Sequence, residues 1–151
     1  MKLTTKTRYG MRAITELAMR HNNGPVSVSN IAKKEGISIT YLGQLLNKLK
    51  KSGIVKSIRG LRGGYILSKD PKDVTVFDVV KVLEGDLSVV FCMSENAKKK
   101  CDKTQNCMTK YVWHKLNDSI RDVLESITLE DLCRKFAKKE FKDKHKFHYS
   151  I

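Results

Sequence analysis

Between Gly36 and Lys69 the chain has no Asp and no Glu, while seven Lys or Arg fall within the same stretch. A solvated face normally mixes signs, so a one-signed surface of this length argues against a purely structural role and predicts a polyanionic partner. Long apolar runs are also missing. No segment approaches the ~18 residues of a membrane-spanning helix, and the basic residues do not line one face of an amphipathic helix, which ranks a membrane surface behind nucleic acid. The opening MKLTTKTRYG lacks the apolar core of a signal peptide, so the expected location is the cytosol, where the four cysteines serve as thiols or ligands rather than disulfides. Catalytic constellations are lacking as well. His21, His114, His145 and His148 are scattered, and no Ser/His/Asp set, paired carboxylate or phosphate-binding glycine loop occurs, which excludes the common enzyme classes.

What the chain does have is basic charge and regular apolar spacing. Its 30 Lys plus Arg against 16 Asp plus Glu give a net charge of +14 over 151 residues, enough chain for one core with an appendage. Residues 1–85 hold sixteen basic and six acidic side chains, and residues 86–151 hold fourteen and ten, so the excess sits in the first half. There Ile39, Leu42, Leu45, Leu46 and Leu49 share one helical face. The opposite face offers Thr40, Tyr41, Gln44, Asn47, Lys48 and Lys51, with Ser38 at its start, side chains able to reach base edges and phosphates. Next, Ile54, Ile58, Tyr65 and Leu67 flank Gly60, Gly63 and Gly64, which predicts a hairpin with Arg59 and Arg62 at its tip. A helix followed by a basic-tipped hairpin is the reading half of a winged helix-turn-helix. The expected fold class is therefore mainly α with a small β-hairpin wing, extended by a long C-terminal dimerisation helix.

Around this stretch the spacing predicts a first helix over Thr7–Arg20, with Tyr9, Ala13, Ile14, Leu17 and Ala18 facing inward. Ser27 or Ser29 caps a second helix through Glu35, stopped by Gly36, and Ser38 caps the third. Asp70-Pro71-Lys72-Asp73 closes the wing. Thr75 with Asp78 forms a capping box for a helix through Leu83, and Leu87 to Phe91 reads as strand-like. From Tyr111 to Ile127 a long helix carries Trp113, Leu116, Ile120, Val123 and Ile127 at alternating three- and four-residue steps, the seam of a helix pair, which predicts a homodimer. Thr128 and Asp131 cap a last short helix through Ala137, and 138–151 is a basic, frayed tail. The expected organisation is a DNA-binding domain over 1–85, a cysteine loop over 86–108, dimerisation helices over 109–137 and the tail.

Cys92, Cys101 and Cys107 lie in a polar, loop-forming run with Lys98, Lys99, Lys100 and Lys103 around them. Cationic neighbours favour thiolate, which suits a metal or cluster site and a redox-reactive thiol group equally. The C-x8-C-x5-C spacing matches neither a zinc knuckle nor the common ferredoxin runs. Cys133, between Leu132 and Arg134, reads instead as a small buried hydrophobe.

The opening MKLTTKTRYG, the helix SITYLGQLLNKLKKSG, the wing RGLRGGYIL, the LEG that follows, the three-cysteine loop and ITLEDL together resemble the Rrf-type winged-helix regulators, and within them the iron–sulfur-cluster regulators. The likeness runs to about Ala137. It implies a dimeric repressor or activator of iron–sulfur assembly, iron or cysteine-metabolism genes, bound to a palindromic double-stranded operator. A 2Fe–2S cluster, in preference to 4Fe–4S, would sit on Cys92, Cys101 and Cys107; Thr40, Tyr41 and Gln44 would read bases, and Arg59 would reach the minor groove. Three positions depart from the pattern. Lys110 stands where relatives place a histidine ligand, Arg8 where others lend an aspartate from the partner subunit, and Gly43 where the cluster regulators carry glutamate. The fourth ligand is thereby open among Asp102, Glu95, a partner residue and solvent, with His114 about 10 Å along the helix and out of reach. The resemblance also offers a cluster-free alternative, a thiol-responsive regulator or one controlled by a cysteine-synthase-type enzyme, although relatives of that kind lack the cysteine triplet.

Overall fold

A computed structural model describes residues 3–97 and 101–146, with side chains through 139. Expectations about Lys98–Lys100, the side chain of His145 and the last residues of the tail, His148 included, lie outside the described residues. The element order is α1 (Thr5–Met19), α2 (Val28–Glu35), α3 (Ile39–Lys51), β1 (Val55–Ile58), β2 (Gly64–Leu67), α4 (Val76–Glu84), α5 (Lys110–Glu125) and α6 (Leu129–Lys146), with single 3-10 turns at Pro71–Asp73 and Phe91–Met93.

The α2–turn–α3 unit forms as its capping residues dictate. Ser27 Oγ accepts from the Asn30 amide at 3.2 Å and Ser38 Oγ from the Tyr41 amide at 3.1 Å, each cap contributing about 1 kcal/mol. Between them Gly36 takes the left-handed φ of 65° that ends α2 without a side-chain penalty. Leu42, Leu45, Leu46 and Leu49 of α3 pack with Ile14 and Leu17 of α1, Ile31 of α2 and Leu83 of α4 in one core. Each such side chain contributes roughly 1.5–3 kcal/mol by leaving water. One carboxylate is buried among them: Glu16 accepts from Arg20 at 3.2 Å and from Lys34 at 2.5 Å, tying α1 to α2.

β1 and β2 pair antiparallel from Val55↔Leu67 to Ile58↔Gly64. Val26, just before α2, adds a two-hydrogen-bond bridge to Tyr65 and so fastens the wing to the helix-turn-helix. That approach requires glycine at 64, since a Cβ there would stand 2.3 Å from the Val26 carbonyl oxygen.

The second half of the chain folds back onto the first. Val76 N–H donates to the Ile127 carbonyl at 2.8 Å and Leu129 N–H to the Val74 carbonyl at 2.9 Å, and Leu129 is fully buried in the common core. Several expectations need correction. Leu87–Phe91 is not a strand: the Val89 amide donates to the Asn117 side-chain oxygen at 2.9 Å, and the chain turns at Phe91–Met93 instead of joining a ladder. The last helix does not end at Ala137 but continues to Lys146, because no Gly or Pro after Leu129 interrupts it. α1 also begins two residues early, at Thr5 rather than Thr7. Its start is fixed by Glu84, whose Oε1 accepts from Thr4 N–H, Thr4 Oγ1 and Thr7 Oγ1 at 2.7, 2.6 and 2.6 Å.

Candidate nucleic-acid interface and cysteine cavity

In the acid-free stretch both α3 and the wing carry exposed polar and basic side chains. α3 buries its leucines and leaves Thr40, Gln44, Asn47, Lys48 and Lys51 exposed on the opposite side. Ser38 is exposed at the helix start, where its oxygen caps Tyr41 and its hydroxyl hydrogen remains available to a phosphate. Tyr41 differs from its predicted neighbours. It is half-buried, with its ring edge-on to Tyr9 at 6.2 Å, so packing on α1 fixes its position. Tyr9 in turn lies under Arg12, 6.0 Å from the ring centre. Gly43 is partly covered on the same helix, with open space where a side chain would begin.

In the wing, Arg59 and Arg62 are both exposed, as the hairpin reading expected. Between them Leu61 is fully exposed at the tip, a feature that apolar spacing could not reveal because it breaks that spacing. α3 and the wing thus both present exposed cationic side chains, with no carboxylate between residues 36 and 69, chemistry suited to a helix in the major groove with an arginine-tipped hairpin on flanking backbone.

Cys92, Cys101 and Cys107 converge on a second feature. They line a cavity of about 270 Å³ together with Met93, Thr104, Lys110, Trp113 and His114. Cys107 lies just ahead of α5, 3.3 Å from the Thr109 hydroxyl. Hydrogen bonds from the Thr109 side chain and backbone and from the Lys110 amide, with the Lys110 charge, outweigh a small desolvation effect and hold this thiol below its ordinary range. Cys133 goes the other way. Half-buried against the core beside Glu130, it is raised, mainly by burial, and stays a thiol. Soft thiol donors around one cavity fit a thiolate-loving iron group. Among the described residues no three His, Cys, Asp or Glu side chains gather tightly enough for a single metal ion.

Polar residues that spacing gave no reason to single out shape the cysteine loop. Asp86 accepts from Ser88 N–H at 2.9 Å, from Ser88 Oγ at 2.6 Å and from Ser94 Oγ. These bonds from Ser88 and Ser94 hold its carboxyl below the usual range. Asn117 of α5 receives the Val89 amide and donates to Met93 sulfur at 3.8 Å. The loop is therefore stitched at its beginning to α5 before it reaches Cys101.

Residues 3–135 match the Rrf2 family, described as iron-dependent transcriptional regulators. The chain belongs to the Rrf2 family. It is similar to CymR of Bacillus subtilis, 40% identical over 88% of this chain and 90% of that protein, and to IscR of Photorhabdus laumondii, 36% identical over 87% and 79%. Among solved structures, that of CymR, the global cysteine regulator of B. subtilis, superposes with a TM-score of 0.77 at 38% identity over 89% of this chain and 98% of that one. T. potens IscR gives 0.73 at 42% identity over 89% and 88%.

This Rrf2 chain is accordingly a DNA-binding transcription regulator with a winged helix-turn-helix, not an enzyme, and regulators of this family are dimeric. The apolar side of α5 has the character such pairing needs: Val112, Leu116 and Val123 are exposed, and no residue of α5 is buried. No helix of the described residues is long and apolar enough to cross a membrane.

Proposed function

We propose that this Rrf2 regulator is a cytosolic homodimer that binds palindromic operators and whose affinity is set by an iron–sulfur cluster on Cys92, Cys101 and Cys107. The observation that carries this reading is the convergence of those three cysteines on one cavity at the start of α5. Three thiol donors suit a 2Fe–2S cluster that takes its remaining ligand from elsewhere. Bound there, the cluster would supply an iron- and oxidant-sensitive link between the loop and α5. The chain does the rest. Asp86 and Asn117 fix one end of the loop to α4's exit and to α5, so a group held by Cys92, Cys101 and Cys107 would tie the rest of the loop to the head of α5. Because α5 carries the dimer seam, its setting fixes the separation of the two α3 helices and hence their fit to paired half-sites.

In this scheme residues 1–85 bind DNA, 86–108 hold the cluster and 109–137 form the dimer. Ser38, Lys48, Lys51 and Arg62 hold phosphates, Thr40, Tyr41 and Gln44 face base edges, and Arg59 enters the minor groove. The targets are genes of iron–sulfur assembly, iron or cysteine metabolism, under repression.

The similarity to CymR favours a second reading, a cluster-free regulator of cysteine metabolism controlled by thiol state or by a cysteine-synthase-type enzyme. Anaerobic purification with a visible spectrum and iron and sulfide assays separates the two. The cluster reading expects a brown protein with equal iron and sulfide, bleached by Cys92→Ala, Cys101→Ala or Cys107→Ala. A protein that stays colourless after reconstitution transfers the function to the second reading.

A further inference from the structure

Leu61 is a large apolar side chain that the fold leaves wholly in water, at the wing tip between the exposed Arg59 and Arg62. A lone leucine scattered on a surface needs no explanation, but this one is held in place. The hairpin ladder ends at Ile58↔Gly64, and the Gly63 amide donates to the Gly60 carbonyl at 3.0 Å, closing a turn with Leu61 and Arg62 at its centre. Gly63 lies tight against the strand, since a Cβ there would stand 2.4 Å from the Ile58 carbonyl oxygen. The bridge between Val26 and Tyr65 in turn fastens the hairpin to the helix-turn-helix. The leucine therefore sits at the apex of a fixed turn, at a set position relative to α3.

We propose that Leu61 is a wedge that enters between two base pairs from the minor groove and bends the operator; this inference rests on the minor-groove placement of the wing proposed above. Proteins that kink DNA from that groove combine an apolar side chain, which replaces base stacking at one step, with cations that hold the groove. Arg59 and Arg62 supply the cations on either side of Leu61, and no carboxylate between residues 36 and 69 opposes them. Gly60, Arg62 and Gly63 complete the turn, so its apolar surface is one side chain wide. That suffices for a base step and is far too little for a protein interface. Unstacking costs least at pyrimidine–purine steps, so Leu61 selects TA or CA/TG at a fixed place in each flank without reading a base edge.

The test uses the full-length protein and duplexes selected from random DNA with the wild-type dimer, carrying 2-aminopurine at successive steps of the flanks and a donor–acceptor dye pair at the ends. Wild type is expected to raise 2-aminopurine fluorescence at one step in each flank and to bend the duplex by roughly 20–90°. Leu61→Ser is expected to lose the unstacking and most of the bend and to bind up to about tenfold more weakly, because unstacking offsets part of the gain from burying the leucine. Leu61→Phe is expected to keep all three. Leu61 is fully exposed, so neither substitution disturbs the core. Unstacking that is equal in wild type and L61S, or absent from both, overturns the wedge and leaves Leu61 to a protein partner. Interference by N3-methyladenine in the flanks reports separately on where the wing lies. Interference without Leu61-dependent unstacking overturns the wedge alone and leaves the minor-groove placement standing. No interference, together with no weakening by R59A, overturns the placement and the wedge with it.

Discussion

Gln44 and Lys51 occupy the same exposed face of α3 yet have different chemistry to offer. An amide can make paired hydrogen bonds to one base, whereas an ammonium sees only the phosphate charge. Gln44→Ala is expected to relax preference at one base pair by about 1–3 kcal/mol of discrimination. Lys51→Ala is expected to weaken all sequences alike and to reduce the salt slope by about one. Competition binding over operator variants at several salt concentrations separates them, and identical behaviour of the two variants would contradict the placement of the recognition face. Much of this face was legible because the buried leucines of α3 fix which side chains point away. Tyr41 was less so: helical periodicity assigns it to the exposed side, but its ring packs on Tyr9 of α1, a long-range contact that local spacing does not contain.

At the scale of elements, Glu84 joins the end of α4 to the start of α1. Burial pulls its carboxyl upward, but the hydrogen bonds from Thr4 and Thr7 and the charge of Lys6 prevail and leave it below its ordinary range. A carboxyl lowered by folding stabilises the native state above its unfolded value, and that contribution is lost as pH falls through the folded value. Glu84→Gln is therefore expected to cost on the order of 1–2 kcal/mol at neutral pH, after allowance for partial exposure, and to lose part of the wild type's acid-side slope. Denaturant titrations between neutral pH and the carboxylate range check this, and a difference constant with pH would contradict it. The elements themselves were largely predictable, because Ser27, Gly36, Ser38 and Thr75 punctuate them. The errors fell where punctuation is absent. Nothing stops α6 at Ala137, and the apolar run Leu87–Phe91 has strand composition but an Asn117 side chain, not a strand, as its partner.

For the whole molecule, the proposed regulation couples two surfaces: the basic face on α3 and the wing, and the cysteine cavity at the head of α5. The exposed apolar seam of α5 is the element between them. Val123→Glu is expected to convert the dimer to monomer in sedimentation equilibrium and to abolish the preference for a palindrome over a single half-site; a variant still dimeric at micromolar concentration would move the interface elsewhere. Control of DNA binding by the cysteine cavity is tested by comparing the two forms of the dimer. Operators are selected from random DNA separately with cluster-loaded and cluster-free dimers, and the affinity of each form for both selected sets is measured at one fixed salt concentration. Cluster control predicts a difference of roughly 5- to 150-fold on at least one set, the usual range of coupling between two sites. Equal affinities of the two forms for every selected operator would contradict it.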